Sequence, residues 1–403
     1  MKKLLVILTA LILTVLALFA LTSCFGSEEE DDTFKVGFIY LHDENSTYDK
    51  NFMMAAEEAV AKLGLSEDQV IHKYNIPEGA ECYDTAVELV EDGCDVIFAD
   101  SFGHENHMLR AAKKYPDVQF CHATGTMAHT ENLDNFHNAF ASIYEGRYVA
   151  GIVAGMKLQE MIDAGEFTAA EAKIGYVGAM PYAEVISGYT SFYLGVRSIV
   201  PEATMKVVYT NTWYDEALEK DAANALMDEG CVLISQHADS WGAPTACETR
   251  GVPNVAYNGS TISAAPETYL ISSRINWAPY FKYMIESVQN GTAIVDDYCG
   301  GFDTGSVALT DLNTAAFEDA AAVQAAIDAA VAAFKAGTLE VFDTAKFTVG
   351  GNALTADFEA DVDSDDNYTP DTKVVIDGIF EESKFRSAPY FFMTIDGITV
   401  PKT

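Results

Sequence analysis

Basic residues are scarce in this chain. Lysine and arginine number 24 against 61 aspartates and glutamates, a net charge of −37. Such a chain repels nucleic acid and anionic lipid surfaces. The few cations are scattered, so an anionic ligand would need a local basic site. No cysteines are spaced C-x-x-C, and no Cys/His cluster has zinc-finger spacing. There is no G-x-x-x-x-G-K-[ST] loop, so ATP hydrolysis must belong to another chain. There is also no nucleophile elbow, no clustered metal motif and no internal repeat. The acidic stretch Asp361–Asn367 lacks the glycine and closing glutamate of a calcium loop and reads as a solvated segment. No motif asks for a cofactor or a metal.

What is present begins at the N-terminus. Lys2 and Lys3 precede an uncharged apolar run, Leu4–Leu21, which ends in Leu21-Thr22-Ser23-Cys24. A basic start, an apolar middle and small residues before a cut mark a secretory signal. The final four residues resemble a lipobox, so residues 1–23 are expected to be removed and Cys24 lipidated on the outer face of the membrane. An uncleaved membrane span is the competing reading of a run this long. The cysteine after small residues and the acidic leash Gly26–Asp32 favour the lipid anchor, with 24–33 as its tether. Cleavage takes two lysines away and leaves about −39, a charge that favours a monomer. The other cysteines, Cys82, Cys94, Cys121, Cys231, Cys247 and Cys299, sit mostly in apolar surroundings and read as buried thiols rather than disulfides.

A chain of 403 residues with 49% hydrophobic content can fill two domain cores. From Phe34 on, short apolar runs alternate with helical periodicity. Strands are expected at 34–41, 95–100, 118–123, 172–178, 205–210, 231–236, 252–257 and 268–275. Helices are expected after the first strand and near 82–92, 104–115, 143–163, 184–199, 214–229, 242–250 and 277–290. This rhythm implies an α/β protein of two doubly wound parallel-sheet lobes. The expected lobes are 34–145 with about 275–335, and 146–274 with about 336–403. Residues 313–338, rich in alanine, read as a surface helix. Ile376–Ile379 and Phe391–Ile395 read as late strands forming a hairpin.

Five stretches place aromatic and polar residues just after strands. They are His42–Phe52, Ala99–Asn106 (with Asp100, Ser101 and Phe102), Met180–Val185 (with Tyr182), Asn211–Asp215, and Gln236–Pro244 (with His237 and Asp239). In doubly wound folds, ligands bind where such loops converge. Flat rings and hydrogen-bonding groups suit a planar, polar small molecule. Asp49 has a simpler reading as a helix N-cap, and the spacing of Phe52 also fits core packing.

The order of these stretches resembles the basic membrane protein family, lipoproteins that bind purine nucleosides and related compounds for ABC importers. The resemblance runs from about Lys35 to about Gly291. Its most specific pieces are Tyr144–Gly155, Lys173–Gly178, Gln236–Ser240 and Asn276–Tyr280. It implies the type I periplasmic-binding-protein fold, two lobes on a three-segment hinge, with an ABC permease and its ATPase as partners. Asp49-Lys50-Asn51-Phe52-Met53 keeps the Asp and the aromatic of the family's first motif but loses its Ser and Asn. By that resemblance Phe52 and Trp213, the latter two residues before Asp215, sandwich the base. Asn258 and Asn276 stand where nucleoside-binding members carry an Asp and a Lys that touch the sugar. Their joint replacement implies altered sugar recognition or a free nucleobase.

Three other readings compete with import. A nucleoside hydrolase would draw on Asp49, Asp100, Asp215, Asp239 and His237. A sensory protein would present its ligand to a receptor. A sugar or autoinducer would use the same aromatics.

Overall fold

In the computed structural model, residues 33–363 and 369–401 are described. The expected signal, Cys24, the tether up to Asp32 and residues 364–368 of the acidic loop lie outside them. The first group of strands is β1 (Val36–Ile39), β2 (Val70–Lys73), β3 (Val96–Ala99), β4 (Gln119–Ala123) and β5 (Phe136–Ala141). The second is β6 (Lys173–Gly178), β7 (Thr204–Tyr209), β8 (Leu233–His237), β9 (Asn254–Tyr257) and β10 (Tyr269–Ile275), followed by β11 (Asp297–Gly300) and β12 (Val307–Leu309). Every residue of β1, β3, β5, β8 and β9 is buried, as parallel strands covered on both faces require.

These strands form two sheets. The first has six, in the order β11-β5-β4-β3-β1-β2, all parallel. The second has seven, running β12-β10-β9-β8-β6-β7 and ending on the short strand Ile398–Thr399. Only β12 is antiparallel there, against β10. Each sheet repeats the doubly wound 2-1-3-4-5 order, so each lobe has a switch point, β1/β3 in one and β6/β8 in the other. The chain crosses between lobes after β5, after β10 and between β11 and β12.

Close helix packing explains the glycine-rich Tyr144–Gly155 segment. It forms most of the first three turns of helix Ile143–Asp163, which lies against helix Ala183–Arg197. A Cβ on Gly151 would stand 2.1 Å from the Phe192 carbonyl oxygen, and one on Gly195 would stand 2.2 Å from that of Tyr148. Any larger residue at either position would push the helices apart.

Three expectations need correction. Only the first part of 275–335 belongs with the first sheet, because β12 joins the second sheet and helix Ala320–Lys335 packs on Ile143–Asp163. The late hairpin pairs Val375–Ile376 with Ile379–Phe380, turning through Asp377 and Gly378 at φ 51° and 85°. Phe391–Ile395 is not a strand; Phe391 instead packs into a cluster with Phe342, Phe347 and Phe380. The six cysteines are free thiols, all buried except the half-buried Cys299.

Candidate ligand cleft

The strand ends of the two switch points face one another. Between them is a small cavity lined by Leu41, Tyr48, Ser101, Phe102 and Thr124 from one lobe and Glu184, Trp213, His237 and Asp239 from the other. The lobes are closed on each other. Thr47 donates through its N–H and Oγ1 to the Asp239 carbonyl, both at 3.1 Å. Asn51 Nδ2 donates to the Ile275 carbonyl at 2.6 Å. Phe102 and Tyr182 meet across the mouth with ring centres 5.3 Å apart, and Tyr182 leans on Trp213 at 5.9 Å.

Five expected site residues border this cavity: Ser101, Phe102, Trp213, His237 and Asp239. Ser101 Oγ donates to Glu78 Oε1 at 2.6 Å, and its carbonyl accepts from His122 Nε2 at 2.6 Å. His237 Nε2 stands 3.3 Å from Glu184 Oε1, with its ring against Tyr257. Burial holds the His237 pKa below its ordinary value, and Glu184 works against that. Beneath it, the buried Arg147 guanidinium bonds the Tyr176 hydroxyl, Ser235 Oγ and the carbonyls of Gln236 and Ala256, which fixes this strand end.

Asp239 is the most exacting group in the cleft. It is buried, and among the described residues no donor is recorded to its carboxyl. Burial pushes that carboxyl well above the usual range, helped by Glu219, Asp49 and Glu184. In the low dielectric of the cleft such a group demands a partner. A ligand offering N–H, or a ring nitrogen able to accept from the protonated acid, would satisfy it.

The other expected residues serve elsewhere. Asp49 is not an N-cap; that position is Ser46, and Asp49 accepts from Ser46 Oγ at 2.6 Å, from the His42 N–H at 2.7 Å and from His42 Nδ1 at 3.2 Å. Asp100 is buried below the cavity floor and accepts from the Leu41 N–H at 3.0 Å, its pKa raised by burial and by Asp49. Phe52 is a core residue. It stacks on Trp277 at 4.5 Å and touches Phe98 and Phe281, while Tyr48, one turn earlier, takes the cavity position. Asp215 caps helix Glu216–Asp228 by accepting from the Leu218 N–H.

Tyr182 borders an outer chamber rather than the cavity. Asn258 borders a separate recess with Lys50, Asn51, Trp241 and Arg274, and the Thr47–Asp239 contact lies between that recess and the cavity. Asn276 ties a crossing segment, donating from Nδ2 to the Gly305 carbonyl at 3.0 Å. Tyr48, Leu41, Thr124 and Glu184 are lining residues that the sequence reading did not single out. Among the described residues, no group of histidine, cysteine, aspartate and glutamate is arranged to hold a metal ion.

The family model of PnrA-like ABC transporter substrate-binding proteins matches residues 38–330. The chain belongs to this family, Bmp. Two relatives are each 33% identical to it. One is a purine-binding protein of Brucella abortus, aligned over 70% of this chain and 77% of its own length. The other, from Haloferax volcanii, is described as an ABC transporter glucose-binding protein and aligns over 70% and 67%. Solved structures agree on the fold. A solute-binding protein of an ABC transporter from Conexibacter woesei matches with TM-score 0.61 at 19% identity, covering 76% of this chain and 98% of that one. Another from Aeropyrum pernix matches with TM-score 0.62 at 16% identity, covering 76% and 92%. The protein therefore has the periplasmic-binding-protein fold. As a member of this family it is an extracytoplasmic substrate-binding component, and it works with an ABC permease. No helix among the described residues is long and apolar enough to cross a membrane.

Proposed function

We propose that this protein captures a purine, most simply a free nucleobase, and delivers it to an ABC importer from a lipid anchor on Cys24, acting as a monomer. The observation that carries this reading is the buried Asp239 carboxyl, with no recorded donor, in a cavity bordered by Tyr48 and Trp213 from opposite lobes. A purine offers a flat π face to the rings and a mixed donor–acceptor edge to Asp239, Glu184 and His237. Stacking on such rings is worth about 1–3 kcal/mol per base. The purine-binding relative supports the same class.

The glucose-binding name of a relative at equal identity supplies a second reading, a sugar stacked on Trp213 with its hydroxyls on Asp239. A thermal-shift screen of residues 25–403 against purine bases, nucleosides and hexoses decides between them. A ligand at 100 times its Kd adds about 2.7 kcal/mol of stability. Stabilisation by bases alone is the expected result. Stabilisation by nucleosides keeps the purine class and removes the free base as its form. Stabilisation by hexoses alone, or silence from purines with protein free of bound purine by mass spectrometry, overturns the proposal.

A further inference from the structure

The family match ends at residue 330, yet the chain continues and returns to the cleft. Residues 379–401 touch both lobes. On the first lobe, the N–H and Oγ of Ser387 donate to Asp297 Oδ1 at 2.8 and 2.6 Å. The other oxygen of Asp297 meets His129 Nδ1 at 2.9 Å. On the second lobe, Glu382 accepts from Ser187 Oγ, and Ile398–Thr399 extends the sheet beside Met205–Lys206. Gly397 sits at φ 95°, where a Cβ would collide with the Tyr193 hydroxyl, so this return is closely fitted.

Between its two ties the segment walls an outer chamber. That chamber shares Phe102, Thr124 and Glu184 with the central cavity, and Ala388, Tyr390 and Phe392 close its far side. Among the described residues, three of the eight exposed large hydrophobic ones, Phe102, Tyr182 and Phe392, gather there. Exposed aromatics collected at one place mark a surface that meets something.

We propose that residues 379–401 are a third component of the ligand site, a strap tied to both lobes that limits how far they part and walls the outer chamber of the cleft. Hinge opening moves the lobes as rigid bodies, so a segment fixed to both must stretch or detach as they separate. The strap thereby raises the fraction of ligand-free protein that is nearly closed, and apparent affinity scales with the binding-competent fraction.

The ligand-independent test measures inter-lobe distance by pulsed electron paramagnetic resonance in the ligand-free full mature chain. Spin labels are attached through Glu91→Cys on one lobe and Asp221→Cys on the other. Asp297→Ala cuts the first tie, and Lys373→Ala, which breaks an exposed ion pair away from the ties, serves as control. The expected result is a distance distribution that broadens and lengthens by several ångströms in Asp297→Ala alone. Superimposable distributions overturn the strap. The wall is tested with whichever ligand the screen yields: Phe392→Ala should raise its dissociation rate at least threefold, and an unchanged rate overturns the wall. The outer chamber is thus assigned on the proposed cleft, whereas the tether is not. A screen that finds no purine defeats the proposed function and leaves the distance measurement to decide the strap.

Discussion

Asp239 is the residue on which the proposed function rests most directly. Its position after β8, in Gln236-His237-Ala238-Asp239, made it legible in the sequence, since loops at the carboxyl ends of parallel strands face the cleft. Its need for a partner was not legible, because that depends on which donors the fold leaves out of reach. Replacing Asp239 with Ala should weaken purine binding by about 5- to 100-fold, since the ligand group that meets it would be left buried without a partner, a cost of roughly 1–3 kcal/mol. Isothermal titration checks this, and wild-type affinity in the variant would remove Asp239 from recognition. Glu184 lay in a stretch already singled out but was passed over for the aromatic Tyr182. It stands in the first turn of the helix after β6, the part of a helix nearest the cleft, and that was the available signal. Asp215 was misread for the opposite reason. An Asp just ahead of Glu216-Ala217-Leu218 is ordinary N-cap grammar, and its side chain takes the Leu218 N–H.

At the level of elements, the long helices and the apolar strands were readable and three first-lobe strands were not. β2 is a half-buried edge strand carrying His72 and Lys73. β5 places His137 and Asn138 in the core, where Asn138 Oδ1 accepts from the Ala128 N–H and His137 Nε2 lies 2.9 Å from Gln119 Oε1. Buried polar residues with dedicated partners break the apolar pattern by which a strand is recognised. β11 likewise mixes Asp297 with Tyr298 and Cys299. Register within helix Thr47–Leu63 decided the other miss. Tyr48 and Phe52 are one turn apart on the same face, 4.9 Å between ring centres, and only the earlier one reaches the cavity. The two should therefore separate cleanly on mutation. Phe52→Ala empties a fully buried site beneath Trp277 and should cost about 3–5 kcal/mol of stability, read as a lower unfolding midpoint in urea. Tyr48→Ala should leave most of that stability intact while weakening ligand binding. The reverse pattern would return Phe52 to the site and Tyr48 to the core.

For the whole molecule, the acidic excess has an internal counterpart that sets how stability responds to pH. Glu145 and Glu219 are pushed up to about 7 and Glu382 to about 8, each chiefly by burial. These groups hold their protons more tightly folded than unfolded. Their contribution is complete below their ordinary pKa of 4.5 and is lost as pH rises through 7 to 8. His104, His122 and His137 act in the other direction. Burial lowers each from 6.5 to about 4, so their contribution is complete above 6.5 and is lost as pH falls toward 4. Between 4.5 and 6.5 the buried carboxyls, with Asp100 and Asp239 acting in the same direction, outnumber these three histidines, so stability falls gently as pH rises. Above 6.5 the opposition from these histidines ends, and His42 and His129, raised by Asp49 and Asp297, act in the same direction as the carboxyls. The melting temperature of the ligand-free protein should therefore decline gently from pH 5 to 6.5 and more steeply from there to pH 8. Glu382 is the group to test, because it lies in the strap, accepts from Ser187 of the second lobe and has Glu145, Glu184 and Arg386 around it. Glu382→Gln keeps a neutral side chain of the same shape, so it should flatten the alkaline fall by close to one proton's worth of slope. A melting temperature that holds steady or rises from pH 6.5 to 8 in the wild type would mean that these carboxyls are not held protonated in the folded protein.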